Sequence, residues 1–143
     1  METSPAQQAI ATGLWYVGIK NEHFFANKLY GTIYSNVVIL QGSHWQDGTG
    51  FDFTIEIMDS IPGNEQQDLP PNGNYNYPLE KESIKVSYHG RTNNQYFDGI
   101  PQEGKITLCL DPIKKLYHGH LNIRFLINKE SFNINSLFGI QIP

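Results

Sequence analysis

Three stretches of the chain alternate apolar and polar residues with a period of two. They are Phe51-Asp52-Phe53-Thr54-Ile55-Glu56-Ile57, Lys105-Ile106-Thr107-Leu108-Cys109-Leu110, and Tyr117 to Ile127, where Leu121, Ile123, Phe125 and Ile127 share one parity. Successive side chains of a strand point to opposite faces, so this pattern gives each stretch one apolar and one polar face. A helix would need a period of 3.6 instead. The chain is therefore constrained to pleated sheet with one face turned to a core.

Composition extends that constraint to the whole molecule. The sequence holds 16 Ile but only 4 Ala, with 13 Gly, 13 Asn and 8 Pro. Ile and aromatic side chains suit a half-buried pleated surface, whereas Gly, Asn and Pro punctuate it with turns. Short apolar runs between turn residues predict strands at 14–19, 29–35, 37–43, 51–58, 83–88, 105–110, 116–127 and 131–142. The expected fold is all-β, about eight antiparallel strands forming either a barrel or a two-layer sandwich, since both bury one face of alternating strands. The 143 residues fit one domain, placed at 13–143 after an N-terminal arm at 1–12 with a short helical turn around Pro5 to Ala11. Ser35-Asn36 and Asn128-Lys129-Glu130 read as hairpin turns. Residues 59–74, rich in Pro, Gly and Asn, read as a long loop, either a flexible connector or a lid.

Several function classes are disfavoured. The formal charge of -4 is not the basic footprint of a nucleic-acid binder. No apolar run approaches the roughly 18 residues of a membrane-spanning helix. The single cysteine, Cys109, admits no internal disulfide and reads as a small buried packing residue. Met1 to Gln8 lacks a signal-peptide pattern, so the expectation is a soluble protein, cytoplasmic as written, or secreted or envelope-located if a leader preceded Met1.

Catalytic signatures are absent. There is no Gly-x-Ser-x-Gly elbow and no Gly-rich phosphate loop. Asp52 and Glu56 share a strand face, but an i, i+4 strand pair lies about 13 Å apart, beyond the reach of paired-carboxylate glycosidase chemistry. Asp47-Gly48-Thr49-Gly50 reads as a turn. The best-ordered polar feature is His118-Gly119-His120-Leu121-Asn122-Ile123-Arg124. It places His118, His120, Asn122 and Arg124 on one strand face at steps of about 6.6–6.8 Å. Two imidazoles, an amide and a guanidinium in a row suit a hydroxyl- or carboxylate-bearing ligand. They equally suit a solvated sheet face with cross-strand partners such as Asn133 and Asn135. A metal would need a third ligand beyond His118 and His120, so no metal or other cofactor is expected.

Trp15 begins the first predicted strand, Trp45 ends the third, and Tyr75 and Tyr77 bracket the exit of the long loop; Trp and Tyr near strand ends line a barrel mouth or plug it. Trp15 reads as structural, whereas Trp45, Tyr75 and Tyr77 are taken as ligand-contacting candidates.

Three resemblances follow from these residues. His120-x-Asn122-x-Arg124 is similar to the strand signature of galectins, although no downstream Trp-x-x-Glu-x-Arg segment follows it. Thr12-Gly13-Leu14-Trp15-Tyr16 resembles the Gly-x-Trp opening of calycins, the lipocalin and avidin-like barrels. That likeness implies a barrel whose floor Trp15 closes, with Arg124 as its late basic partner. Gly73-Asn74-Tyr75-Asn76-Tyr77-Pro78-Leu79, Gly104-Lys105-Ile106-Thr107 and Asp111 to Gly119 look like segments of small uncharacterised envelope proteins of Bacteroidetes, which implies fold and origin without an activity.

The expected function is a non-enzymatic ligand-binding domain for a small hydroxylated molecule or glycan. Its site would combine Trp45, Tyr75, Tyr77, His118, His120, Asn122 and Arg124 with the 59–74 loop. The competing expectation is a protein-interaction module, an immunity or assembly protein, that binds another chain through that loop and a sheet face.

Overall fold

Alternation of this kind produces one continuous curled sheet. The computed structural model describes residues 9–34, 37–58, 72–79, 83–111 and 113–143. Among them are eleven strands: β1 (Ala9–Ile10), β2 (Thr12–Ile19), β3 (Glu22–Phe25), β4 (Lys28–Tyr34), β5 (Val37–Gln46), β6 (Thr49–Met58), β7 (Gly73–Tyr77), β8 (Ile84–Thr92), β9 (Gln95–Asp111), β10 (Leu116–Ile127) and β11 (Glu130–Gln141). Their order across the sheet is β1-β4-β5-β6-β8-β9-β10-β11-β2-β3, with β7 also paired to β9. Every pairing is antiparallel. The sheet curls into a half-barrel, and no helix long and apolar enough to cross a membrane occurs among the described residues.

Parity sets the inside and the outside. Phe51, Phe53, Ile55 and Ile57 are buried on β6, as are Leu121, Ile123, Phe125 and Ile127 on β10. The curl brings these faces together across the interior. Phe53 meets Phe125 with ring centroids 6.0 Å apart, although β8 and β9 lie between their strands. Trp15, only 1% exposed, stacks on Phe138 at 4.8 Å and meets Phe53 at 5.9 Å. The Trp15 ring covers Gly42, where an added Cβ would lie 2.7 Å from the indole, and Phe138 likewise covers Gly119. At Gly42 and Gly119 a neighbouring ring thus occupies the missing side chain's space.

The β3–β4 link stitches the curl. Ala26 N–H donates to the Trp15 carbonyl at 2.9 Å and Asn27 N–H to the Ser43 carbonyl at 2.8 Å. One short connection therefore bonds β2 on one side and β5 on the other.

Several expectations change. Ala9 and Ile10 pair with Gly31 and Tyr30, and β2 begins at Thr12, so the described end of the 1–12 arm is strand and not a helical turn. Residues 1–8, the Ser35-Asn36 turn and 59–71 of the long loop lie outside the described residues. Gly73 and Asn74 already belong to β7, and β3 had no counterpart in the expected strands. Strand β9 begins ten residues before the predicted 105. The added stretch holds Gly99, Pro101 and Gly104, and a register shift between Arg124 and Phe125 leaves Gln102 as an extra residue opposite β10. Such a bulge bends a strand and tolerates a proline. The first half of β9 can then pair with β8 and the second half with β7. Cys109 is exposed, because burial of Ile106, Leu108 and Leu110 sends the intervening residues outward. Asn128-Lys129 does form the final turn, with φ of 50° and 71°, the primed geometry that suits two-residue hairpins.

Trp15 does not pair with Arg124. Its Nε1–H donates to Ser136 Oγ at 2.8 Å, and that hydroxyl donates to the Tyr16 carbonyl at 3.0 Å. Arg124 instead faces Glu103 at 3.4 Å on the opposite side of the sheet. Ser136→Ala leaves a buried indole donor unpaired, at an expected cost of about 1–3 kcal/mol in unfolding free energy, measurable by urea denaturation.

Candidate functional site

The seven residues singled out in the sequence fall in three separate places. His118, His120 and Asn122 are exposed and Arg124 is half-buried, all on the outer face of β10. Their intervening neighbours Tyr117, Leu121 and Ile123 fill the core, so the stripe faces solvent. As the solvated-face reading expects, Asn135 stands in register with Asn122 and its Oδ1 accepts from His120 Nε2–H at 2.6 Å, while Asn133 stands opposite Arg124. Tyr75 and Tyr77 lie on β7, half-buried and packed against the core, and burial pushes the Tyr75 phenol upward in pKa. Trp45 lies near the end of β5 on the outer face, where its Nε1–H donates to Asp52 Oδ1 at 2.9 Å. Among the described residues no group of three or more His, Cys, Asp or Glu side chains is placed to hold a metal ion.

A cavity that draws in none of these seven residues lies elsewhere. It opens at one end of the curl, holds about 620 Å³, and is lined from the ends of β2, β5, β8 and β10 and the starts of β3, β6, β9 and β11. The opposite end of the interior is filled by Ala11, Leu110, Tyr117, Ile140 and Ile142. Three of the open end's turns are Asp47-Gly48, Asn93-Asn94 and Asn128-Lys129, all with positive φ at both residues. Each is a tight two-residue hairpin connection, which leaves the mouth uncovered by long loops at those points.

Aromatic rings form the wall of this mouth. Phe24 meets His44 at 5.2 Å and Phe51 at 5.5 Å, Phe51 meets Tyr88 at 5.3 Å, and Tyr88 meets Phe97 at 5.3 Å. Phe132 completes the wall from β11. Polar groups sit on the rim: Lys20, Glu22, Gln46, Asp47, Thr49, Arg91, Thr92, Asn93 and Asn128. Both rim cations rest over rings, Lys20 Nζ 4.5 Å from the Phe132 centroid and Arg91 5.3 Å from that of Tyr96. His44 Nδ1 lies 2.8 Å from the Phe25 carbonyl. A carbonyl only accepts, so Nδ1 carries the proton and the neutral ring offers Nε2 as an acceptor.

Sequence reasoning passed over these residues. Phe24 and Phe97 fall outside the predicted strands, and Phe51 and Tyr88 lie within them as ordinary strand positions. The available signal was the pair of two-residue turns, Asp47-Gly48 and Asn93-Asn94. Hairpins closed there bring Phe51, Tyr88 and Phe97 to the same end of the sheet.

Compared with protein-family models, curated proteins and solved structures, the chain matches none. What the site does is therefore read from its own geometry.

Tyr88 gives that geometry a titration signature. Burial, reinforced by the negative charge of Glu22, pushes its phenol from 10.0 up to about 12. The folded chain keeps this proton at a pH where the unfolded chain has released it. Tyr88's contribution to stability is therefore complete below pH 10.0 and is lost as pH rises through about 12. Tyr75 and Tyr117 are raised in the same direction, chiefly by burial. In denaturant melts at a series of alkaline pH values, Tyr88→Phe is expected to make the loss of stability above pH 10.0 shallower than in the parent.

Proposed function

We propose that the protein is a non-enzymatic binding protein whose site is the aromatic mouth of the curled sheet. Its ligand is a small hydroxylated ring molecule. The observation that carries this reading is the cavity of about 620 Å³ walled by Phe24, Phe51, Tyr88, Phe97 and Phe132. Small-molecule sites are concave, of roughly 300–1,000 Å³, with mostly apolar walls and a few polar groups that orient the ligand. A ring face laid against these aromatics removes apolar surface from water. The rim amides and hydroxyls of Gln46, Thr49, Thr92, Asn93 and Asn128 then exchange hydrogen bonds with ligand hydroxyls. Lys20 and Glu22 bring opposite charges to the same rim, as do Arg91 and Asp47, which favours a ligand of low net charge.

One observation favours a second reading, a protein-interaction module. Leu14, Phe25 and Leu137 are 55%, 54% and 47% exposed. Tyr16 stands in register with both Phe25 and Leu137, which joins these side chains into one outer patch on β2, β3 and β11. Contiguous exposed apolar surface is a mark of partner binding.

The two readings separate experimentally. A panel of small cyclic polyols and aromatic glycosides is screened by thermal shift and by NMR. The expected hit perturbs the Phe97 and Asn93 signals, and Phe97→Ala weakens it about tenfold or more. His120→Ala and Asn122→Ala leave it unchanged. A hit that needs His120 and Asn122 and ignores Phe97 would return the site to the β10 stripe. Absence of any hit, together with a protein complex abolished by Leu137→Glu, would favour the interaction module.

A further inference from the structure

We infer that the outer face of β5 and β6 carries a second, independent binding site, one that takes a neutral saccharide unit against the hydrogen-bonded pair of Trp45 and Asp52. Parity creates it. His44 and Phe51 point into the mouth, so their chain neighbours Trp45 and Asp52 point outward from the same hairpin. There a second concavity of about 560 Å³ is lined by Asn27, Lys28, Tyr30, Gln41, Trp45 and Asp52, with Ser43 at its base.

A relay of hydrogen bonds organises this face. Thr54 Oγ1 donates to Gln41 Oε1 at 3.1 Å, Gln41 Nε2 donates to Ser43 Oγ at 3.0 Å, and Ser43 Oγ donates to Asp52 Oδ1 at 2.6 Å. Trp45 Nε1–H donates to the same oxygen at 2.9 Å, and His89 Nε2 lies 3.3 Å from Asp52 Oδ2. The residues come from three adjacent strands at alternating positions, and Ser43 is only 3% exposed. Ser43 and Trp45 both donate to one carboxylate oxygen, and Gln41 and Thr54 stand behind Ser43 in the chain of bonds. Ser43 addresses Asp52 and not the imidazole of His89, so the arrangement is not the order of a nucleophilic triad. Asn27 holds the Trp45 backbone from both sides, Nδ2–H donating to its carbonyl at 2.9 Å and Oδ1 accepting from its N–H at 3.5 Å. The carboxylate and the indole are thus fixed before any ligand arrives, which lowers the entropy lost on binding.

The chemistry of the lining selects the ligand class. A carboxylate has about four lone-pair sites, and Ser43, Trp45 and His89 occupy three, which leaves capacity for a ligand hydroxyl. The indole offers an apolar surface to the C–H face of a sugar ring. Lys28, Tyr30 and Asn27 add donors around it. Asp52 disfavours an anion and Lys28 disfavours a cation, so a neutral polyol ring is the occupant that suits both.

The two tryptophans supply the test. Trp15 is buried in the core, so its indole N–H signal is an internal reference for that of Trp45 in NMR spectra of the full chain. Glucose, galactose, mannose, N-acetylglucosamine and their disaccharides are titrated individually. At least one is expected to shift the Trp45 indole signal saturably while that of Trp15 stays in place. By calorimetry, Asp52→Asn is expected to weaken that sugar about tenfold or more, and Trp45→Ala to abolish its binding. Phe97→Ala, in the mouth, is expected to leave it unchanged. Melting curves establish that each variant is folded, and Asp52→Asn keeps the side chain's shape for this purpose. The proposal is overturned if none of these sugars moves the Trp45 signal, if binding survives Asp52→Asn undiminished, or if Phe97→Ala removes it.

Discussion

Trp15 is the contact on which the rest of the structure depends. Its indole stacks on Phe138 of β11, meets Phe53 of β6, covers Gly42 of β5 and donates to Ser136. Its carbonyl receives the Ala26 amide. One side chain therefore joins strands from both ends of the sheet order. A flat sheet could satisfy its hydrogen bonds without it, but would leave an apolar face of Ile, Phe and Leu in water. The curl around Trp15 buries that face against itself, at about 25 cal/mol for each Å² of apolar surface removed from water.

Once the sheet is curled, strand parity divides every strand between two environments. The β5–β6 hairpin shows the consequence most directly. His44 and Phe51 belong to the aromatic mouth, whereas Trp45 and Asp52 belong to the outer polar relay. One residue of chain separates two chemistries, and a one-residue slip in register would exchange them. The primed turns at Asp47-Gly48 and Asn93-Asn94 hold that register with two residues each.

Much of the fold was legible in the alternation, because burial of one face is a local requirement that each strand meets alone. The strands at 116–127 and 51–58 could be read almost to the residue. Less legible were β3, four residues long, and the first half of β9, where a bulge accommodates Pro101. The candidate site was less legible still. Trp45 was singled out, whereas Asp52, which accepts from its indole, was read as half of a remote carboxylate pair with Glu56. The stripe from His118 to Arg124 has perfect period-two order and faces solvent, because that order marks a shared face without saying which face. Tyr75 and Tyr77 looked like loop-exit residues and are strand residues packed on the core.

The sequence by itself determined an all-β chain, the parity of its strands and the identity of most core side chains, since these follow from the pleat and from hydrophobic burial. Tertiary structure alone decided where concavities form. Phe24, Phe51, Tyr88, Phe97 and Phe132 come from five different strands, and the Asp52 relay draws on three. Their convergence depends on how far the sheet curls and which strands it places side by side, and those are long-range pairings that no local period encodes.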